Sequence, residues 1–372
     1  MRASFLTDAH RALAERARGA AALLDAGAVH LEDAALAQSV AALGLYPYLV
    51  PASYGGALPK LDVLSLCVIR EELAAANAAA DSLFAVQGLG SHPVLLAGSE
   101  DQKRDLLGRV AKGTALFAFG LTEPEAGSDV AALATRAVRQ GDGWVLDGAK
   151  RFISNAGVAT HYTIFARTGA GPKGITAFVV PADAAGFRVA RKMELLAEHP
   201  IGELELSGCR VPDSARLGDE GSGMRLALAT LDVFRSTVGA AAVGMARRAL
   251  DEALAYSKRR RQFGAPLAEL SAVQALLADS AVELEASRLL VQMAAATKDS
   301  GQERVTYEAA VSKLFATEAA QRIVDRCLQV HGGNGVVKGF AVERLYRDVR
   351  ALRIYEGASE VQRLVIARHL LG

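Results

Sequence analysis

Cysteine is scarce in this chain: Cys67, Cys209 and Cys327 are spread over 372 residues, and no C-x-x-C occurs. That spacing excludes a disulfide framework and a cysteine-based zinc site, and it suits a reducing compartment. The seven histidines form no H-E-x-x-H and no paired spacing, so no metal is expected. Charge of one sign is lacking as well. Lys and Arg number 42 against 41 Asp and Glu, a net charge of +1, so no global field recruits nucleic acid or an anionic membrane. Long apolar runs are also missing. The stretch Thr237 to Ala246 falls far short of the ~20 residues that cross a bilayer. Met1-Arg2 is not followed by an apolar segment, and Asp8 and Glu15 do not suit a transit peptide. A cytoplasmic, unprocessed chain without a membrane partner is therefore expected.

Apolar residues are plentiful, at 51%, enough for large cores, and the length suits two or three domains. Residues 1–116 are rich in alanine and leucine at helical spacing, with Leu13, Ala17, Ala20 and Leu24 on one face of a first helix. Near residue 117 the texture changes. Short runs of β-branched and aromatic residues (Trp144-Val-Leu, Tyr162-Thr-Ile-Phe, Ile175-Thr-Ala-Phe-Val-Val), punctuated by Gly, Asp and Pro, predict a small antiparallel β-domain over 117–217. Trp144 reads as a core residue. From 218 to 372 the helical period returns. Val273, Leu276, Leu277 and Leu284 make one stripe, Val311, Leu314, Phe315, Val324 and Leu328 a second, and Val342, Leu345, Tyr346 and Val349 a third. These predict a C-terminal four-helix bundle. The fold class is thus α+β multidomain: helical, then β, then helical.

Five stretches carry candidate chemistry. In Ile354-Tyr355-Glu356-Gly357-Ala358-Ser359-Glu360-Val361-Gln362-Arg363, Ser359 and Gln362 have the spacing of a capping box, so a helix is expected to start at Ser359. Glu356 then lies three residues before the cap, near the positive end of the dipole, which favours its ionised form. Flanked by apolar residues, it is a candidate general base. The same features describe a solvated loop carboxylate, which is the commoner case. Leu121-Thr-Glu-Pro-Glu-Ala-Gly-Ser-Asp129 is a turn in which Ser128 or Asp129 can cap a short helix over 130–133; its amides and hydroxyls suit an anion or the polar edge of a heterocycle, or it is an ordinary turn. Arg151-Phe-Ile-Ser-Asn155 places Phe152 and Ser154 on one face if it is a strand, a common pattern that also suits a flat ligand. Lys258-Arg-Arg-Arg-Gln-Phe-Gly264 reads as a solvated helix end or a pyrophosphate clamp. Gln329-Val-His-Gly-Gly-Asn-Gly335 reads as a helix C-cap or a close approach of backbone to a nucleotide, with His331 structural.

Taken together and in this order, these stretches resemble the acyl-CoA dehydrogenase family over nearly the whole chain. The resemblance implies an FAD-dependent oxidoreductase, with FAD held non-covalently between the β-domain and the C-terminal bundle, and a homotetramer or homodimer whose flavins each touch two subunits. It implies that Phe119, Leu121 and Thr122 lie against the isoalloxazine and Ser128 near the pyrophosphate. Phe152, in place of the usual tryptophan, would stack on the flavin, and Ser154 would bond it. Arg260 and Phe263 would reach the FAD of a neighbouring subunit, with Gln329, Gly332 and Gly333 lining it, and Ala358 and Glu360 beside the cofactor. Glu356 falls on the catalytic base, which removes the α-proton of an acyl thioester while the β-hydrogen leaves as hydride to flavin N5. The Glu356 backbone N–H and a ribityl hydroxyl would hold the thioester carbonyl, an oxyanion-type arrangement. Asp232, Phe234, Arg235, Gly357 and Ser128 would face the substrate. Some members carry their glutamate at the position of Phe234, so this chain has its base at Glu356. An electron-transferring flavoprotein is the implied acceptor.

Two departures stand out. Ala358 replaces a frequent threonine. Ala197-Glu-His-Pro-Ile-Gly202 replaces an Arg-Gly-Ser/Thr-rich segment at the CoA entrance, which admits a second substrate class, acyl or aminoacyl thioesters on a carrier protein. A non-catalytic nucleic-acid-binding flavoprotein would need a basic surface that the net charge of +1 opposes.

Overall fold

The computed structural model describes residues 5–25 and 32–372; Met1 and Arg2, considered above for targeting, lie outside the described residues. Helices come first: α1 (Asp8–Asp25), α2 (Asp33–Ala42), α3 (Val63–Ala76), α4 (Ala78–Ala97), and the short α5 (Glu100–Gln102) and α6 (Gly108–Ala111). Strands follow: β1 (Phe117–Gly120), β2 (Arg136–Gln140), β3 (Gly143–Ser154), β4 (His161–Arg167), β5 (Ile175–Pro181), β6 (Phe187–Lys192), β7 (Ile201–Pro212) and β8 (Arg216–Leu217). Then come α7 (Gly223–Arg259), the hairpin β9 (Arg261–Gln262) and β10 (Ala265–Pro266), α8 (Ser271–Asp299), α9 (Thr306–His331), α10 (Ala341–Val349) and α11 (Ser359–Leu371). The expected helical, β, helical order is what forms. The chain divides into two compact units, one of Met1–Ala26, Val63–Asp81 and Asp232–Gly372, the other of Gly27–Asp62 and Ser82–Leu231.

In the first unit α1 buries Leu13, Ala17, Ala21 and Leu24. Ala20, expected in that stripe, is half-buried, and Ala21 takes its place in the buried face. Helix α3 takes its N-terminal cap from far away: the Asp299 carboxylate at the end of α8 accepts from the Val63 and Leu64 amides at 2.8 and 2.9 Å. Helix α9 packs on α8, α10 and α11. Of the expected stripe Val324 is buried, while Val311, Leu314, Phe315 and Leu328 are half-buried; in the first half of the helix the buried face is instead Ala309, Ala310, Ser312, Lys313, Ala316 and Thr317. Small residues let α7 approach closely here: a Cβ on Gly239 would lie 3.4 Å from the Ser312 carbonyl oxygen and 3.5 Å from Ala316 Cβ. The α8 stripe likewise moves toward its C-terminal half, with Val273, Leu276 and Leu277 half-buried and Leu284, Val291, Ala294 and Ala295 buried. In α10 Val342, Leu345 and Val349 are buried as expected, whereas Tyr346 is exposed.

Helix α7 is apolar over a longer window than Thr237–Ala246 alone, long enough by length and composition to cross a bilayer, yet 89% of that window is buried inside the protein. It is a core helix. Its approach to α3 is closest at Gly244, where a Cβ would lie 2.1 Å from the Glu71 carbonyl oxygen. Because that obstacle is backbone, Gly244→Ala is expected to destabilise by about 1–3 kcal/mol, read as a lower urea midpoint.

The second unit is built on an eight-stranded sheet of order β6-β7-β3-β2-β4-β5-β8, with β1 on β4. Its pairings are antiparallel except β1–β4 and β2–β4, which are parallel. Trp144 is buried in its core, tilted against Phe178, with its indole N–H donating to Asp213 at 2.7 Å. The three cysteines are free and buried.

Candidate active site

Glu356 and Gly357 are consecutive residues in the left-handed region, with φ of 52° and 94°. Glycine adopts this freely; glutamate there is strained and persists only where the surroundings impose it. They do so through the loop carbonyls. The Glu356 carbonyl accepts from Arg235 Nε at 3.2 Å, and the Gly357 carbonyl from Lys313 Nζ and Gln362 Nε2, both at 2.8 Å. A Cβ on Gly357 would lie 2.4 Å from Gln362 Nε2. Gly357→Ala is therefore expected to displace Gln362 and the base together, lowering substrate-driven activity more than stability, as measured by rate and melting temperature on the same sample.

The expected capping box does not form. Ala358 is the N-cap of α11 and makes no side-chain bond. Ser359 instead donates to Glu318 Oε1 at 2.6 Å, and Gln362 turns back to the loop. A half-buried carboxylate on α9 is the better acceptor for that hydroxyl, and charge-assisted bonds are the stronger kind. Glu318 is itself paired with Arg353 at 2.8 Å.

The electrostatics of Glu356 also differ from a dipole-stabilised surface carboxylate. Its Oε2 is buried and has no hydrogen-bond partner. Burial raises its pKa above the ordinary glutamate value, against the opposing pull of Arg70, Lys313 and Arg235. Lys313 is fully buried, and burial, resisted by Glu356, lowers its ammonium to about 8. Arg235, lowered by burial, lies 3.5 Å from Asp232, whose carboxylate accepts from Thr306 at 2.6 Å. Arg70, 1% exposed, is clamped by both oxygens of Asp81, at 2.8 and 2.7 Å, and donates to Thr237 at 2.8 Å. A carboxylate raised above its ordinary value by burial, faced by the cations Arg70, Lys313 and Arg235 and with Oε2 unbonded, is suited to accept a proton from a bound substrate. Phe234 is buried beside this cluster on α7, and Glu360 is exposed in the first turn of α11.

The second unit holds another group of expected residues. The turn after β1 is pinned to β3 by a buried ion pair: Lys150 Nζ lies 2.7 Å from Glu123 and donates to the Leu121 carbonyl at 3.3 Å. Glu123 also accepts from the amides of Ala134 and Thr135, at 2.6 and 3.0 Å. The Thr122 carbonyl accepts from the Arg151 amide at 2.9 Å, which brings Leu121 and Thr122 beside Phe152. The simple alternation expected of Phe152 and Ser154 fails, because the register shifts between Lys150 and Ile153 and Phe152 has φ of 56°. That bulge leaves the Phe152 ring 51% exposed, with the Arg151 guanidinium 5.0 Å from its centre. Ser154 Oγ lies 3.3 Å from His199 Nε2. Phe119 is half-buried and tilted against Phe165. Ser128 is exposed, and the short 3-10 helix at Val130–Ala132 starts from Asp129 with no side-chain bond, so neither residue caps it.

Arg260, Phe263, Gln329, Gly332 and Gly333 are all exposed at the ends of α7 and α9. Phe263 and Gly264 form a two-residue hairpin turn with φ of 51° and 81°, which presents Phe263 at 93% exposure. Gly332, φ 57°, ends α9 as expected. His331 is structural: its Nδ1 lies 2.7 Å from the Cys327 carbonyl oxygen, and its ring stacks on Tyr256.

Among the described residues the non-glycines with positive φ are Phe152, Asn155, Phe263 and Glu356. Three of these four were expected site residues. Backbone strain is frequent at functional positions, and at Phe263 the positive φ is the one that its two-residue hairpin turn requires. In the second unit the exposed aromatic face of Phe152 fits the flat ring of a dinucleotide such as FAD; in the first, the exposed Arg260 and Phe263 fit a charged, ring-bearing ligand.

Arg70, Asp81, Lys313, Glu318 and Lys150 were not anticipated; Gln362 was expected only as a cap and Glu123 only as part of its turn. The available signal was a charge inside a small-residue or apolar helical run, as at Val68-Ile-Arg70 and Ser312-Lys-Leu314.

The acyl-CoA dehydrogenase N-terminal, middle and C-terminal domain families match residues 3–114, 118–209 and 221–371. The chain is 41% identical over 371 residues to a probable acyl-CoA dehydrogenase, FadE25, of Mycobacterium tuberculosis, covering 98% of this chain and 94% of that one. It superimposes on butyryl-CoA dehydrogenase of Megasphaera elsdenii with a TM-score of 0.95 at 34% identity, over 100% of both chains. It also superimposes on an FAD complex of PigA with a TM-score of 0.93 at 26% identity, covering 100% of this chain and 99% of that one.

Proposed function

The chain belongs to the acyl-CoA dehydrogenase family, and from that premise we propose that it introduces an α,β double bond into an acyl-CoA thioester with Glu356 as the base. It is an FAD-dependent oxidoreductase acting on CH–CH groups. Bound FAD supplies the oxidising power by taking up the β-hydrogen as hydride. The observation that carries the proposal is the Glu356 carboxylate, strained, buried at Oε2 and surrounded by cations.

The protein's own residues do the rest. Glu356 accepts the α-proton. Arg235, Lys313 and Gln362 hold the carbonyls of its loop and so fix where the carboxylate and the Glu356 amide point; that amide is the donor for the thioester carbonyl. Asp232 keeps Arg235 in place, and Phe234 walls the acyl site. Phe119, Leu121, Thr122, Phe152 and Ser154 take the flavin ring, and Ser128 its pyrophosphate. Arg260, Phe263, Gln329, Gly332 and Gly333 reach a second subunit's cofactor in a homo-oligomer. Ala358 and Glu360 flank the cofactor, and electrons pass on to an electron-transferring flavoprotein. Segments 1–116, 117–217 and 218–372 serve as its domains.

The test is anaerobic. FAD-loaded protein is titrated with a panel of acyl-CoA thioesters and with the same acyl groups on a carrier protein. Bleaching of the flavin by at least one CoA thioester is expected. Bleaching by carrier-bound groups alone would assign the substrate to the carrier, and no bleaching at all would overturn the proposal. Because burial raises Glu356 above its ordinary 4.5, the bleaching rate is expected to climb with pH through an ionisation above that value, as the carboxylate loses its proton.

A further inference from the structure

Arg70 is the largest fully buried side chain among the described residues, and nothing in the proposed chemistry yet uses it. It projects from α3 and spends its donors on three atoms. Nε and one terminal nitrogen grip the two oxygens of Asp81 on α4, and the other terminal nitrogen donates to Thr237 on α7. A planar guanidinium held at three corners cannot swing. A buried pair of this kind brings little net stability compared with apolar residues of similar volume, so stability alone does not account for it.

Its surroundings point to the loop. Arg70 faces the Tyr355 hydroxyl, immediately before Glu356 in the chain. Helix α7, which anchors Arg70 through Thr237, also anchors the loop through Arg235. We propose, building on the assignment of Glu356 as base, that Arg70 is a positioning residue: clamped by Asp81 and Thr237, it gives the Glu356 loop a fixed positive charge that favours the ionised, proton-accepting carboxylate.

The charged and titratable groups facing Glu356 are Arg70 from α3, Asp81 from α4, Arg235 from α7, Lys313 from α9 and Tyr355 on its own loop. Of the charged neighbours, Arg70 exerts the largest pull toward ionisation, and Asp81 a smaller push the other way. Arg235 and Lys313 spend a hydrogen bond on loop carbonyls, whereas Arg70 is bonded to Asp81 and Thr237.

The test is the pH profile of anaerobic flavin bleaching in FAD-loaded protein, measured for the wild type, Asp81→Asn, and the double variant Arg70→Met/Asp81→Leu. The double variant exchanges the pair for apolar residues of similar size, which keeps the fold accessible; FAD content and melting temperature check it. Asp81→Asn removes the anion and leaves the cation, so its acid limb is expected to move to lower pH. The double variant removes the stronger influence, so its limb is expected to move up by about one pH unit. At a fixed pH on that limb, its rate then falls about tenfold. Profiles of both variants that coincide with wild type would overturn the inference while leaving Glu356 as base. A wild type that no thioester bleaches would instead overturn the functional reading beneath it.

Discussion

Glu356→Gln is expected to keep FAD bound and to lower the rate of substrate-driven flavin bleaching by about 10²–10⁴-fold, the usual contribution of a positioned general base. The amide fills the same space and can still accept at its oxygen, but it cannot take up a proton. The family resemblance puts Phe234 where some members carry their glutamate, so no second carboxylate is expected to take over from there. The same substitution is expected to raise the melting temperature at neutral pH. The sign follows from burial. The unfolded chain releases this proton near 4.5, and the folded protein at higher pH. The stability that this group contributes is therefore complete below the unfolded value and is lost as pH rises through the folded one. At pH 7 the buried carboxylate is a net destabilisation, which glutamine removes. Opposite signs for activity and stability are the mark of a residue placed for function. A fall in both would assign Glu356 to structure.

Lys150→Met is expected to have the largest effect on stability, about 3–5 kcal/mol by urea denaturation. Lys150 is fully buried, and its ammonium is pulled down to about 8 by burial in spite of Glu123. Burial pushes the Glu123 carboxyl up, yet Lys150 and the Ala134 amide together hold it below its ordinary value. Removal of the ammonium leaves a buried carboxylate with backbone amides as its remaining donors, and such an orphan is far costlier than the pair. The effect reaches function because the same nitrogen holds the Leu121 carbonyl, and the Thr122 carbonyl is tied to Arg151. FAD affinity, measured by flavin release on dilution, is expected to fall with stability. Unaltered FAD affinity would separate this turn from the cofactor.

The helical, β, helical order was legible because it rests on local texture: the change from alanine–leucine periodicity to β-branched runs near residue 117, and back after 218. Of the candidate stretches, the Glu356 loop was legible as a loop before a helix that starts at Ser359, whereas Lys258–Gly264, read as a helix end or a clamp, also carries the hairpin turn at Phe263–Gly264. What escaped is non-local. Ser359 and Gln362 have capping-box spacing, but Glu318, 41 residues away in the chain, takes the serine hydroxyl, and no spacing rule contains that competitor. The Asp299 cap on α3 spans an even longer separation. On α9 the period was legible and the face was not, because the close approach of α7 favours alanine and serine over valine and leucine, and Lys313 enters the core with them. Phe152 and Ser154 were read with strand alternation, which a bulge interrupts. In each case a partner outside the sequence window decided the geometry.

The central claim, that Glu356 takes a proton from the α-carbon of an acyl thioester, is tested most directly by single-turnover flavin bleaching with one CoA thioester in two forms, protiated and deuterated at the α-carbon. Wild-type protein is expected to bleach several-fold more slowly with the α-deuterated form. Equal rates for the two forms, in a protein that bleaches and retains its FAD, would contradict it.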